Sequence, residues 1–254
     1  MEYPFDKLHA GIESQILNLS AGIPDSQAVR QAKASPDSVE KFLTLGKALS
    51  RQLRYREAID AYTEGLKAEP ENLSLLRLRA GRYLTTLQSD FAITDFEKCL
   101  SLGAEKLDCL YRIGLAQYYA GRYLRAMETL ESCLPLCDDE MGIAVLYWHT
   151  LSAARTEKAP TLLKYYRPDM VVGHHTAYEK AMQVWSGTTP LAAALEMLES
   201  EKDDLEYGIT LYGLLWHPDC TEKERLSQNL LRRDGFWPSF AYLAAWKDWD
   251  GLRK

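Results

Sequence analysis

Ala58, Ala92 and Ala126 stand 34 residues apart, and Gly46, Ala80 and Gly114 keep the same interval twelve positions earlier. Two series of small residues in constant phase mark a structural unit copied three times along the chain. A unit of this length cannot bury its apolar face alone, so each copy must stack on the next. This constrains the chain to an array built from near-neighbour contacts.

Within the first copy, Phe42, Leu45, Gly46 and Leu49 share one face of a helix over 40–53, and Ala58, Tyr62 and Leu66 share one face of a second over 56–68. Small residues at Gly46 and Ala58 let the two backbones approach while larger neighbours fill the gap. Pro70 ends the unit. The second copy, 73–106, repeats the scheme with Leu76, Ala80 and Tyr83, then Ala92, Phe96 and Cys99. The third, 107–140, does so with Leu110, Ile113 and Gly114, then Ala126, Leu130 and Cys133.

These residues resemble the tetratricopeptide repeat family, whose unit is a 34-residue helix-turn-helix. Leu45-Gly46, Ala58, Tyr62 and Pro70 carry the resemblance in the first copy. Arg79 departs from it, standing where an apolar residue is usual, and Asp138 stands where Pro is common. The resemblance implies an all-α, right-handed helical-hairpin solenoid. It further implies a concave groove lined by the first helix of each unit.

Three parts follow: an N-terminal helical cap over 1–38, three repeats over 39–140, and divergent helical hairpins with a C-terminal cap over 141–254. The cap has Phe5, Leu8, Ile12, Ile16 and Leu17 at helical spacing, then a short helix over 25–34 behind an Asp cap, with Ser35-Pro36 opening the next. After the repeats, 141–155 has the apolar spacing of another first helix, but Trp148 occupies the small position and prevents a close approach. A short helix is expected over 160–166, an internal boundary at Arg167-Pro168-Asp169 and Gly173, and further helices over 177–185, 191–198, 204–216, 221–232 and 236–249. No alternating β-branched run reads as a strand. Five of the six tryptophans follow residue 150, so this half should pack around large rings.

A formal charge of -6 disfavours nucleic acid and anionic lipid as partners. No apolar stretch approaches membrane-spanning length. Residues 1–10, MEYPFDKLHA, lack the basic-then-apolar order of a secretory leader. Five cysteines, an odd number mostly on apolar faces, suit reduced thiols and a cytoplasmic setting.

The implied groove holds Leu43, Lys47, Ser50, Arg51, Arg77, Gly81, Leu84, Asp108, Tyr111, Arg112, Leu115 and Tyr118. Of these, Lys47, Arg51, Arg77 and Arg112 are candidates to grip an acidic segment or terminal carboxylate, with Leu84, Tyr111, Leu115 and Tyr118 as packing surface. The competing reading makes the cations ordinary helix charges paired with neighbours such as Glu40 and Asp108. The two-carboxylate clamp with which some family members hold a chaperone's acidic C-terminus is not reproduced. Leu43 takes the place of its first lysine, Lys47 and Leu78 replace its asparagines, and Arg112 alone matches.

No nucleophile elbow, phosphate-binding glycine loop or metalloprotease helix is present, and the acidic run 199–204 reads as a solvated turn, so no enzyme is expected. His174-His175, with His217 and Cys220, raises a metal question, but without a second paired motif neither metal nor cofactor is expected. Cys133 and Cys137 read as core. The sequence thus describes a non-catalytic scaffold that binds a protein or peptide segment, in an oligomeric state left open by Phe236, Trp237 and Trp249 as candidate dimer surface. The alternative is a regulatory or enzyme-accessory protein with a small-molecule or short-peptide pocket in the tryptophan-rich half.

Overall fold

The computed structural model describes residues 24–233, 235 and 237–252, and the side chains up to 249. The helix expected around Phe5 to Leu17 lies outside the described residues. Thirteen α-helices and no strand are present among the described residues. The chain forms two compact units, Met1–Ala116 and Gln117–Lys254.

In the first unit, α1 (Gln27–Ala34), α2 (Val39–Arg51), α3 (Tyr55–Ala68), α4 (Leu73–Thr85) and α5 (Ser89–Ser101) follow in order, and α6 (Lys106–Tyr119) begins. Side-chain caps set several starts: Ser26 accepts from the Val29 N–H, Ser38 from Lys41 and Asn72 from Leu75. Ser26, not Asp25, therefore caps α1. Asp25 instead pairs with Lys33 and Arg54, both at salt-bridge distance. Likewise Ser38, rather than Ser35, opens α2.

The repeat is written in the backbone as well as in the small residues. Each first helix ends in a residue of positive φ, Leu53 at 60°, Leu87 at 56° and Gly121 at 74°. The next residue in each case donates its N–H five residues back, Arg54 to Leu49, Gln88 to Tyr83 and Arg122 to Gln117. This is the left-handed C-terminal cap that satisfies the last helical carbonyls and turns the chain into the second helix. A fourth copy, with Glu157 at 55° and Lys158 donating to Ala153, arrives two positions late.

The packing follows from residue size. Tyr62 lies where a side chain at Gly46 would project, so the ring is admitted only because that position is glycine. Ala58, Ala80, Ala92 and Phe96 are fully buried. Arg79, the departure from the repeat pattern, pairs with the buried Asp95.

The second unit takes in the end of α6, then α7 (Tyr123–Cys133), α8 (Asp139–Ala154), α9 (Thr176–Trp185), α10 (Leu191–Glu199), α11 (Asp204–Leu215), α12 (Lys223–Arg232) and α13 (Phe240–Leu252). Every residue of α8 from Gly142 to Ala153 is buried, so this helix is the centre of its unit. Trp148 is fully buried, its ring 5.1 Å from Tyr118, 5.2 Å from Tyr147 and 6.0 Å from Tyr212. An aromatic cluster thus replaces the small-residue contact of the regular repeats.

The expected helix over 160–166 is only a 3₁₀ turn, Leu163–Tyr165. The loop 167–173 lies inside the second unit, where Arg167 pairs with Asp139 and the Val171 N–H bonds to the same carboxylate. The last helix starts at Phe240 rather than 236, and Trp237 and Trp249 are buried, which removes them as dimer surface. Phe236 lies outside the described residues.

Candidate functional site

The groove residues divide by burial. Leu84 and Leu115 are 0% exposed, Tyr118 2% and Tyr111 8%. Against expectation, the first three offer no contact surface, and Tyr111 offers little. Burial takes these large side chains out of water, so they stabilise the packing rather than line a groove. Tyr118, in the second unit, shares a hydroxyl hydrogen bond of 2.7 Å with Tyr212.

The cations divide by pairing. Arg77 makes a two-pronged ion pair with Asp108, Nε to Oδ2 at 2.8 Å and Nη2 to Oδ1 at 2.9 Å. Arg112, one turn along α6 from Asp108, donates Nε to Oδ1 at 2.9 Å. Burial raises the Asp108 carboxyl, but the two guanidiniums outweigh it and hold the group below the usual carboxylate range. For Arg77 and Arg112 the reading as internally paired charges is therefore correct.

Lys47 and Arg51 differ. Both are exposed, one turn apart on α2, and neither has a carboxylate partner among the described residues. Together with Ser50, Tyr62, Leu78 and Arg82 they line a recess of about 240 Å³ in the first unit. Arg82 is held by its neighbour, the guanidinium 4.5 Å from the Tyr55 ring centroid. The Tyr62 hydroxyl lies 3.4 Å from the Ser50 hydroxyl. Burial raises the Tyr62 phenol, so the group stays neutral and able to donate. The repeat's small residue thus shapes the recess, because Gly46 admits the Tyr62 ring beside it. Two like charges at i and i+4 repel by about 0.2–0.5 kcal/mol, and no carboxylate among the described residues offsets this. The recess is chemically a place for an anion. Arg82 was not among the residues expected from sequence; the signal for it was its position on the first helix of the second repeat.

The other expected chemistry resolves differently. His217 packs its ring 5.0 Å from Trp185, and Cys220 is buried. His174 and His175 instead meet Glu140. Two cavities of about 270 and 360 Å³ lie in the second unit, and neither has a tryptophan in its wall. The first lies in the tryptophan-rich half where the alternative reading places a pocket, with Tyr178 and Phe240 rather than tryptophan as its aromatic wall. No helix among the described residues is long and apolar enough to cross a membrane.

No family model matches the chain. It is similar to the small glutamine-rich tetratricopeptide repeat-containing protein 2 of Saccharomyces cerevisiae, 26% identical over 147 residues, 58% of this chain and 41% of that protein. It is also similar to an Hsp70-Hsp90 organizing protein of Triticum aestivum, 29% identical over 105 residues, 41% of this chain and 18% of that protein. The match spans less than half the length of either relative. Among solved structures, a tetratricopeptide repeat protein from Parabacteroides merdae superposes with a TM-score of 0.53 at 19% identity, covering 92% of this chain and 91% of that one. At this identity the likeness is one of fold.

Proposed function

Since this chain is a protein of the tetratricopeptide repeat type, we propose that it is a non-catalytic interaction scaffold whose first unit binds an anionic segment of a protein partner in the recess of Lys47, Arg51 and Arg82. The observation that carries this reading is the contrast between two sets of cations on the same array. Arg77 and Arg112 share Asp108 as an ion-pair partner, whereas Lys47 and Arg51 have no carboxylate partner among the described residues and border a recess with hydroxyl groups. Arg51 and Arg82 can fork onto a carboxylate, Lys47 adds a point charge, and Ser50 and Tyr62 add hydroxyl donors. The recess fits one acidic side chain or a terminal carboxylate with its neighbouring residue, and the rest of the segment would lie along the first helices.

The pattern differs from the chaperone clamp, so the partner is not assigned from the organizing protein of wheat. A cytoplasmic setting belongs to the same proposal and is supported by five free cysteines, four of them buried.

The test is fluorescence anisotropy with a labelled acidic peptide ending in a free carboxylate. Lys47→Glu/Arg51→Glu should abolish binding, Arg77→Gln should leave it within about twofold, and added salt should weaken it. Equal binding by wild type and the double variant would remove the recess from the account.

A further inference from the structure

The N-terminus of α8 and the loop before α9 bring Glu140, His174 and His175 together. One ligand atom from each lies within 4.8 Å of the others. From this we infer that the three residues form a binding site for a divalent transition-metal ion of the zinc type.

Hydrogen bonds and the loop backbone hold the three side chains together. The His175 Nδ1 lies 2.6 Å from the Glu140 carbonyl oxygen. A carbonyl can only accept, so Nδ1 carries the proton and Nε2 keeps a free lone pair. Fixing the tautomer and ring through the second nitrogen is how proteins orient a metal-ligating histidine. The His174 Nδ1 lies 2.5 Å from Glu140 Oε1, and the His174 backbone N–H points to the same oxygen at 3.4 Å. A carboxylate accepts, so Nδ1 donates to it, and a bound ion would displace that proton. The carboxylate occupies the space that a side chain at Gly173 would fill, and Gly173 has φ of 55°, so glycine is needed there on two counts. Beside the cluster, Asp139 holds Arg167 and the Val171 N–H, which ties the loop to the start of α8.

Two imidazoles and one carboxylate match the three-ligand sites that leave a coordination position open. Bond lengths of about 2.0–2.2 Å to such an ion need donor atoms roughly 3.3 Å apart. The three ligand atoms lie within 4.8 Å, so the side chains would have to adjust around the ion. Imidazole with carboxylate selects zinc, nickel or copper over magnesium or calcium. Both histidines also line the cavity of about 270 Å³ with Tyr178, Leu205, Ile209 and Phe240. An ion held here would present its open position to that cavity, where a small anion or a carboxylate could complete the coordination.

Isothermal titration of the full chain with zinc chloride tests this, with Glu140→Gln, His174→Gln and His175→Gln beside Cys137→Ser and His217→Gln. One zinc per chain is expected. Affinity should fall by about tenfold or more in each of the first three, since loss of even an outer-shell partner costs that much. The last two should be unchanged. No uptake by the wild-type chain would overturn the assignment, as would uptake that survives Glu140→Gln and His175→Gln, or uptake abolished by Cys137→Ser. Should a variant lose its helical circular dichroism, the visible spectrum of the cobalt(II)-loaded wild type decides. Nitrogen and oxygen ligation without a sulfur charge-transfer band is expected, and such a band would overturn the site.

Discussion

Arg79 of α4 and Asp95 of α5 form a two-pronged ion pair inside the second helical hairpin, Nε to Oδ2 at 2.7 Å and Nη2 to Oδ1 at 2.8 Å. Asp95 is 5% exposed, and Arg79 also donates to Thr63 at 3.2 Å. The pair satisfies its charges where the repeat usually has an apolar contact. Removing one partner strands the other, so Arg79→Leu or Asp95→Leu should each lower stability by roughly 3 kcal/mol. The double replacement should recover most of that loss, because two apolar side chains carry no desolvation cost. Urea denaturation of the three variants measures both effects.

Adding a side chain at Gly46 drives it into the Tyr62 ring. Gly46→Val should therefore cost about 1–3 kcal/mol by overpacking. Because the displaced ring also borders the recess, the same variant should weaken acidic-peptide binding while leaving the charges of Lys47 and Arg51 in place.

His149 is fully buried on α8, with Nε2 at 3.3 Å from both Glu131 Oε1 and the Thr161 hydroxyl. Burial holds its imidazole below the usual 6.5, against the opposing pull of Glu131. Below that pH the unfolded chain takes up a proton that the folded chain refuses. Stability should therefore fall as pH drops from about 6.5 and level off below the folded-state value. Chemical denaturation of wild type and His149→Gln between pH 5 and 8 checks this: the variant should lack the slope.

The Tyr212 hydroxyl bonds both the Tyr118 hydroxyl and Asp248 Oδ2, each at 2.7 Å, and Arg155 reaches the same carboxylate oxygen at 2.8 Å. Tyr212→Phe leaves a buried hydroxyl without its partner, which should cost about 1–3 kcal/mol. Tyr118→Phe on top of it should add less than it costs alone, a coupling that a double-mutant cycle in thermal unfolding resolves.

Burial pushes the Cys99 thiol up to about 12 and raises Cys109 and Cys220 as well, whereas Cys137 is only half-buried. One thiol per native chain, Cys137, should react rapidly with a disulfide reagent at pH 8, and the others only on unfolding. Peptide mapping after a short exposure identifies it.

Much of this architecture was legible in the amino-acid sequence. The interval linking Ala58, Ala92 and Ala126 predicted the repeated hairpin, and the caps at Leu53, Leu87 and Gly121 keep the same interval. Helix positions in the second half were also readable, except over 160–166, where only a 3₁₀ turn forms, and at the last helix, which starts at Phe240 rather than 236. The late fourth cap at Glu157 marks the place where the repeat loses its phase.

The sequence by itself determined the unit, its small-residue contacts and the helical class, because spacing within one helix is a local property of a 3.6-residue period. Tertiary structure alone decided which charges are free. Asp108 on α6 lies 31 residues from Arg77 on α4, and only folding shows that it pairs with both Arg77 and Arg112 while Lys47 and Arg51 have no carboxylate partner among the described residues. It also decided that Tyr118 is core rather than groove, and that the partner of His174 and His175 is Glu140, a residue more than thirty positions earlier. The physical reason is the same in each case. Periodicity states which face a residue lies on, but which group lies opposite depends on how neighbouring helices and loops fold back over that face.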